Sequence, residues 1–178
     1  KVGVVRYPGS NCDIETLKYF SDLGSSEYIW HNEDNLSIVD DLGLLVLPGG
    51  FAFGDRIYNK ATEKYVISPG TMALKSPVSN IIYECLKKNI PIIGICNGFQ
   101  ILTQMKLLPG KLELNDNKKF ICKKVKCTLN TKKFSEKVDL CIANSYGKYS
   151  NENSLDENFE YFLKYENGET AGIFDKKN

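Results

Sequence analysis

The stretch Pro91-Ile92-Ile93-Gly94-Ile95-Cys96-Asn97-Gly98-Phe99-Gln100 decides how this chain is read. Its first half is an apolar run that reads as a buried strand. Phe99, Leu102 and Met105 then suggest a helix. Between the two stands a cysteine with a glycine two positions to either side. The frame Gly94-Ile95-Cys96-Asn97-Gly98 has the form glycine-x-nucleophile-x-glycine of a strand-to-helix elbow. Such a corner is sharp, and flanking side chains would collide with neighbouring elements. A sulfur there would sit at a helix N-terminus, where the dipole favours thiolate. An ordinary thiol, with a pKa of about 8.5, is only slightly ionised at neutral pH, so the position matters.

Working outward, strand and helix signals alternate. Val2-Gly3-Val4-Val5 reads as a strand ending at Pro8-Gly9. Ser10-Asn11-Cys12-Asp13 offers side-chain caps, and Ile14, Leu17, Phe20 and Leu23 recur at helical spacing up to Gly24. Tyr28-Ile29-Trp30 is a short second strand. Leu42 to Leu47 is a third, ending at Pro48-Gly49-Gly50. Ser76-Pro77 opens the clearest helix, with Val78, Ile81, Ile82, Cys85 and Leu86 on one face. Beyond Pro109-Gly110 the pattern changes. Phe120–Leu129, Val138–Ala143, Phe159–Tyr165 and Ala171–Phe174 read as strands joined by polar turns. The first two-thirds is therefore a β-α-β series on a parallel sheet, and the last third is more antiparallel. The long stretch from Phe51 to Pro77 has no firm periodicity. It reads as a functional loop or as a solvated insertion. Phe51, Phe53 and Tyr58 within it could dock a partner or simply pack.

Composition narrows the class. Among 178 residues, 42% are hydrophobic and 25% charged, and the net charge is +1 with no basic run. That argues against a nucleic-acid binder. No apolar stretch approaches membrane-spanning length, and the first residues lack a signal-peptide pattern, so a cytoplasmic protein is expected. The six cysteines form no CxxC pair, and His31 is the only histidine, so a metal site is not expected. Cys122 and Cys127 are five apart on one strand and should face opposite ways.

A thiolate nucleophile also needs donors for the oxyanion it creates. The backbone N–H of Asn97 is one candidate, and Gly50, at the end of the preceding parallel strand, is the other. A core thiol between turn glycines reads the elbow equally well. The second glycine-rich strand end favours the nucleophile.

These residues resemble the class I, triad-type glutamine amidotransferases, and more narrowly the glutaminase subunits of phosphoribosylformylglycinamidine synthase. The matching pieces are VVRYPGSNCD (4–13), LPGGFAFGD (47–55), SP (76–77), PIIGICNGFQILT (91–103), LLPG (107–110) and KFICKKV (119–125). PGSNCD and GGFxxGD favour this subunit over the sister glutaminases of guanylate, anthranilate or histidine synthesis. The resemblance implies an α/β fold, a three-layer, open, mostly parallel sheet with helices on both faces (flavodoxin-like). It implies one glutamine amidotransferase domain over residues 1–178. It implies hydrolysis of L-glutamine to glutamate and ammonia through a γ-glutamyl thioester on Cys96, with Gly50 and Asn97 as the oxyanion hole. Gln100 matches a glutamine-contacting position, and Phe120, Ile121 and Cys122 match backbone that holds the substrate's α-groups. The ammonia would pass to a separate synthetase subunit in purine biosynthesis, with a possible small third subunit. ATP and Mg2+ belong to that synthetase, and this chain needs no cofactor. The glutaminase would idle until the synthetase binds.

Three departures bear on this. The family takes its general base from a histidine oriented by a glutamate, in a Pro-His-Pro-Glu segment near the C-terminus, and no such segment occurs here. Where the family carries His-Gly-Glu-Gly-Arg, this chain has Asn144-Ser145-Tyr146-Gly147-Lys148. The segment from Asp55 to Ser76 is longer than in many members. The 178-residue chain by itself is thus expected to be nearly inactive as a glutaminase, lacking the C-terminal catalytic segment. His31 as an alternative base is a minority reading, since a histidine after Tyr-Ile-Trp is more often structural. Two rival functions stay open: another class I glutaminase or cysteine hydrolase on the same scaffold, and a catalytically dead binding or regulatory module.

Overall fold

The computed structural model describes residues 1–52, 71–152 and 155–177. Most of the stretch from Phe51 to Pro77, including Phe53 and Tyr58, therefore lies outside the described residues. The chain packs as two compact units, 1–105 and 106–177. The boundary falls just before Pro109-Gly110, where the hydrophobic pattern changes.

In the first unit, strands β1 (Val2–Arg6), β2 (Ser26–Trp30), β3 (Leu44–Leu47) and β4 (Ile92–Gly94) form a sheet of order β2-β1-β3-β4. Every pairing is parallel, with Val4 opposite both Tyr28 and Val46, and Val46 opposite Ile93. A parallel sheet buries both faces of its central strands, which explains the continuous apolar runs. Val4, Val5, Leu45, Val46 and Leu47 have no exposed surface. Helices α1 (Asp13–Leu23), α2 (Val78–Lys87) and α3 (Asn97–Gln104) follow β1, the 53–77 segment and β4. This is the open α/β architecture of the flavodoxin-like proteins.

Helix α2 buries Val78, Ile81, Ile82 and Cys85, the stripe its spacing predicts. Helix α1 corrects the expectation for its own stripe. Its only buried residue is Asp13, while Ile14 and Leu23 are 63% and 70% exposed. Helical spacing establishes a helix, but burial needs something packed on that face. Strand β4 also departs from the reading of a buried strand. It pairs only with β3 among the described residues, and Ile93 and Ile95 are 42% and 45% exposed.

The second unit is antiparallel. Strands β5 (Lys111–Glu113), β6 (Ile121–Asn130), β7 (Ser135–Asn144), β8 (Lys148–Ser150), β9 (Phe159–Tyr165) and β10 (Thr170–Asp175) make a sheet of order β10-β9-β6-β7 and a separate β5-β8 pair. Cys127 on β6 is buried and Cys122 is exposed, as an odd separation on a strand requires. The short strands β5 and β8 escape a reading of the sequence, because three residues carry too little alternation to register.

Candidate functional site

Cys96 stands at the junction of β4 and α3 with φ 52° and ψ −103°. A non-glycine residue with positive φ is uncommon, and such strain clusters at functional sites. The corner is held by its neighbours. Ile95 N–H donates to the Leu47 carbonyl at 3.0 Å, Gly98 N–H to the Ile95 carbonyl at 2.9 Å, and Gln100 N–H to the Cys96 carbonyl at 3.0 Å. Both glycines are sterically required. A Cβ on Gly94 would stand 2.6 Å from Leu102 Cδ1 and 2.7 Å from the Gly98 carbonyl oxygen. A Cβ on Gly98 would overlap the Leu47 carbonyl, with the Leu47 carbonyl carbon 2.8 Å away. The half-buried sulfur therefore sits at the N-terminal end of α3, where the helix dipole favours negative charge.

Because β3 and β4 run parallel in register, their carboxyl ends lie side by side. Pro48-Gly49-Gly50 leaves β3 at that point. A Cβ on Gly49 would lie 3.5 Å from Cys96 Cβ and 3.6 Å from Cys12 Sγ, so Gly49 is packed against the elbow. Gly50 follows with φ 136°, a conformation that favours glycine, and a Cβ there would approach Asn11 N to 2.6 Å. The glycine-rich end of β3 thus lies against the cysteine through Gly49, with Gly50 next along the chain.

The loop before α1, whose residues suggest a helix cap, proves to be a brace. Cys12 occupies the cap position of α1, and no side chain caps the helix there. Ser10 Oγ instead accepts from Tyr7 N–H at 3.1 Å, and Asn11 Oδ1 accepts from Phe51 N–H at 3.2 Å. Their oxygens turn to other backbone donors because the loop doubles back at Gly9, whose φ is 85°. Cys12 is a second thiol beside Gly49. Although the residue as a whole is exposed, partial desolvation of the thiol, and then the carboxylates of Glu15 and Asp13, raise its pKa above the ordinary value. Of the two thiols flanking Gly49, only Cys96 occupies the strained corner.

Asp13 anchors the far end of the loop. Arg6 Nε lies 2.6 Å from its buried Oδ2, an ion pair rather than an in-line hydrogen bond. The Arg6 guanidinium also lies over the rings of Tyr28 and Trp30, at 5.0 and 4.9 Å.

Asn97 and Gln100 are buried, at 1% and 2% exposure, and Asn97 Nδ2 donates to Gln100 Oε1 at 2.9 Å. Phe120, Ile121 and Cys122 belong to the second unit, at the start of β6, where Ile121 and Cys122 pair with Asn144 and Ala143. The departing segment 144–148 is held there by a residue that sequence reasoning misses. Buried Asn115 donates to the carbonyls of Asn144 and Lys119, both at 3.0 Å, and its Oδ1 accepts from Gly147 N–H at 3.1 Å. An isolated asparagine in a polar turn gives no sequence signal of this kind.

His31 ends β2. Its N–H donates to the Arg6 carbonyl at 2.9 Å, and its carbonyl accepts from Val78 N–H at 3.1 Å at the start of α2. These backbone bonds tie the end of β2 to β1 and to the start of α2. β2 and β4 are the two edge strands of this sheet, three inter-strand steps of about 4.8 Å from one another, so His31 and Cys96 follow opposite edges. Among the described residues, no three His, Cys, Asp or Glu side chains converge to hold a metal ion.

Residues 1–157 match the family described as the CobB/CobQ-like glutamine amidotransferase domain. The phosphoribosylformylglycinamidine synthase subunit PurQ of Methanosphaera stadtmanae is 38% identical, over 98% of this chain and 78% of that one. PurQ of Aquifex aeolicus is 36% identical, over 93% and 73%. Among solved structures, that of PurLQS from Thermotoga maritima superposes with a TM-score of 0.80 at 31% identity, covering 99% of this chain and 82% of that one. A protein from Thermoplasma acidophilum described as part of a GMP synthase superposes with a TM-score of 0.66 at 17% identity, covering 99% and 79%, a likeness of fold alone.

Proposed function

The chain belongs to the CobB/CobQ-like glutamine amidotransferase family, in the group of phosphoribosylformylglycinamidine synthase glutaminase subunits, and from that we propose the reaction its site performs. The protein hydrolyses L-glutamine to glutamate and ammonia, and delivers the ammonia to a synthetase subunit of the PurL kind in purine biosynthesis. The Cys96 thiolate attacks the γ-carbonyl carbon. The carbonyl electron pair moves onto oxygen, facing the backbone N–H groups of Gly50 and Asn97. On collapse the leaving nitrogen takes up the proton the thiol gave up and departs as ammonia, leaving a γ-glutamyl thioester; water then adds to its carbonyl and cleaves it to glutamate, returning a proton to the sulfur. Gln100 borders the substrate from α3. ATP and Mg2+ act in the synthetase and not in this chain. The resemblance places the general base in a Pro-His-Pro-Glu segment that these 178 residues do not contain.

One observation carries this reading: Cys96 is held at positive φ on the elbow, with Gly49 packed against it. The location we propose is the cytoplasm. In support, no helix among the described residues is long and apolar enough to cross a membrane, and all six cysteines are unbridged.

The test uses the protein reconstituted with its synthetase. Cys96→Ala should lower glutamine-dependent ammonia release at least about 10³-fold, because the members of such a site act as a unit. A diazo-ketone analogue of glutamine should label Cys96, and glutamine should block the labelling. Ammonia release undiminished in Cys96→Ala, or labelling elsewhere, would overturn the proposal. Binding of glutamine without turnover by the intact complex would favour a regulatory module.

A further inference from the structure

We infer that Asn11 is a positioning residue for the oxyanion hole, a role that rests on the glutaminase reading of Cys96. The direction of a backbone N–H is set by the peptide plane that carries it, and that plane is rigid and trans. The N–H of Gly50 lies in the plane shared with the Gly49 carbonyl. The next plane, between Gly50 and Phe51, carries the Phe51 N–H. Gly50 itself has no side chain to lock its torsions, and it sits at φ 136°.

The loop 8–13 holds both planes. Cys12 N–H donates to the Gly49 carbonyl at 3.3 Å, which pins the first. Asn11 Oδ1 accepts from Phe51 N–H at 3.2 Å, which pins the second. Ser10 and Gly50 form an antiparallel bridge between the two pins. With both neighbouring planes fixed, both torsions of Gly50 are fixed, and so is the direction of its N–H. Of the two pins, only Asn11 acts through a side chain, so it alone can be removed by substitution. The loop is itself anchored, by Ser10 N–H to the Tyr7 carbonyl at 3.0 Å and by the Arg6–Asp13 ion pair. Preorganised donors stabilise an oxyanion only when aimed at it before the reaction, and small misplacements are costly.

The experiment uses the protein with its synthetase and compares wild type, Asn11→Ala and Asn11→Asp, the last keeping an acceptor for Phe51 N–H. Kinetics of glutamine hydrolysis are measured beside inhibition by glutamate γ-semialdehyde. With that probe the Cys96 sulfur bonds to the aldehyde carbon and the carbonyl electron pair moves onto oxygen, so its affinity reads the oxyanion hole directly. The rate of Cys96 alkylation by iodoacetamide, which forms no oxyanion, serves as the control. In Asn11→Ala, kcat and semialdehyde affinity should each fall about 10- to 100-fold. KM and the alkylation rate should stay within about threefold, and Asn11→Asp should recover part of the loss.

Asn11→Ala with kcat and semialdehyde affinity within about threefold of wild type would overturn the inference. So would an equal loss of alkylation rate in both variants, which would mark a general structural role. Failure of the glutaminase reading looks different: wild type would then form no covalent semialdehyde adduct at Cys96.

Discussion

Gly98 and Leu47 approach so closely that a methyl group on Gly98 would overlap the Leu47 main-chain carbonyl. This contact seats α3 against β3 and sets the elbow. Backbone cannot swing aside as a flexible side chain can. Gly98→Ala should therefore cost about 3 kcal/mol, the upper part of the usual range for overpacking. Urea unfolding would measure it. A loss below about 0.5 kcal/mol would mean that the helix can slide without penalty.

Inside the same helix, Gln100 Oε1 accepts a hydrogen bond from Asn97 Nδ2 in a setting where both side chains are buried. Gln100→Leu removes that acceptor and leaves a buried amide donor without it. The expected loss is about 1–3 kcal/mol in thermal or urea unfolding. The substitution should also raise the KM for glutamine in the assembled enzyme if Gln100 borders the substrate as proposed. A stability loss with unchanged KM would confine Gln100 to a structural role.

Arg6 and Asp13 form a lopsided ion pair, with the carboxylate buried and the arginine side chain about a third exposed (34%). Asp13 is also the first residue of α1, where negative charge suits the dipole. Arg6→Ala strands the carboxylate and should cost about 3 kcal/mol. Arg6→Met combined with Asp13→Leu should recover most of that stability while lowering glutaminase kcat, because the brace on Gly50 loses its anchor. Equal stability for Arg6→Ala and wild type in urea would refute the account.

Cys85 provides a pH test. The side chain is buried in α2, and burial, followed by the nearby Glu84 carboxylate, pushes its thiol up to about 11. The folded state therefore holds a proton that the unfolded chain releases near pH 8.5–9. The unfolded state binds fewer protons in that window, so stability falls as pH rises from about 9 to 11. The contribution is on the order of 2 kcal/mol. Lysines and tyrosines titrate in the same range, so the comparison is with Cys85→Val. That variant should show a flatter dependence of unfolding free energy on pH. Parallel curves for the two proteins would sink the assignment.

The legibility of this protein varies with the range of the signal. The elbow at Gly94–Gly98, the glycines ending β3 and the stripe of α2 are local patterns, and each is readable. A helix needs only periodic spacing, and a sharp turn needs residues without side chains. The change from parallel to antiparallel strands near Pro109-Gly110 is readable for the same reason. The stripe on α1 misleads, because spacing reports which residues share a face and not whether anything covers it. Strands β5 and β8 are too short to show alternation, and Asn115 carries no pattern at all.

The amino-acid order alone determined the family, the nucleophile candidate and the strand-helix alternation, since these depend on neighbours a few positions apart. Only the tertiary structure decided what Asn11 does, because its acceptor meets a donor forty positions away. It also decided that His31 and Cys96 stand at opposite edges of the first unit's described sheet. Strand order and side-chain direction arise from packing between distant segments, and no local pattern encodes either.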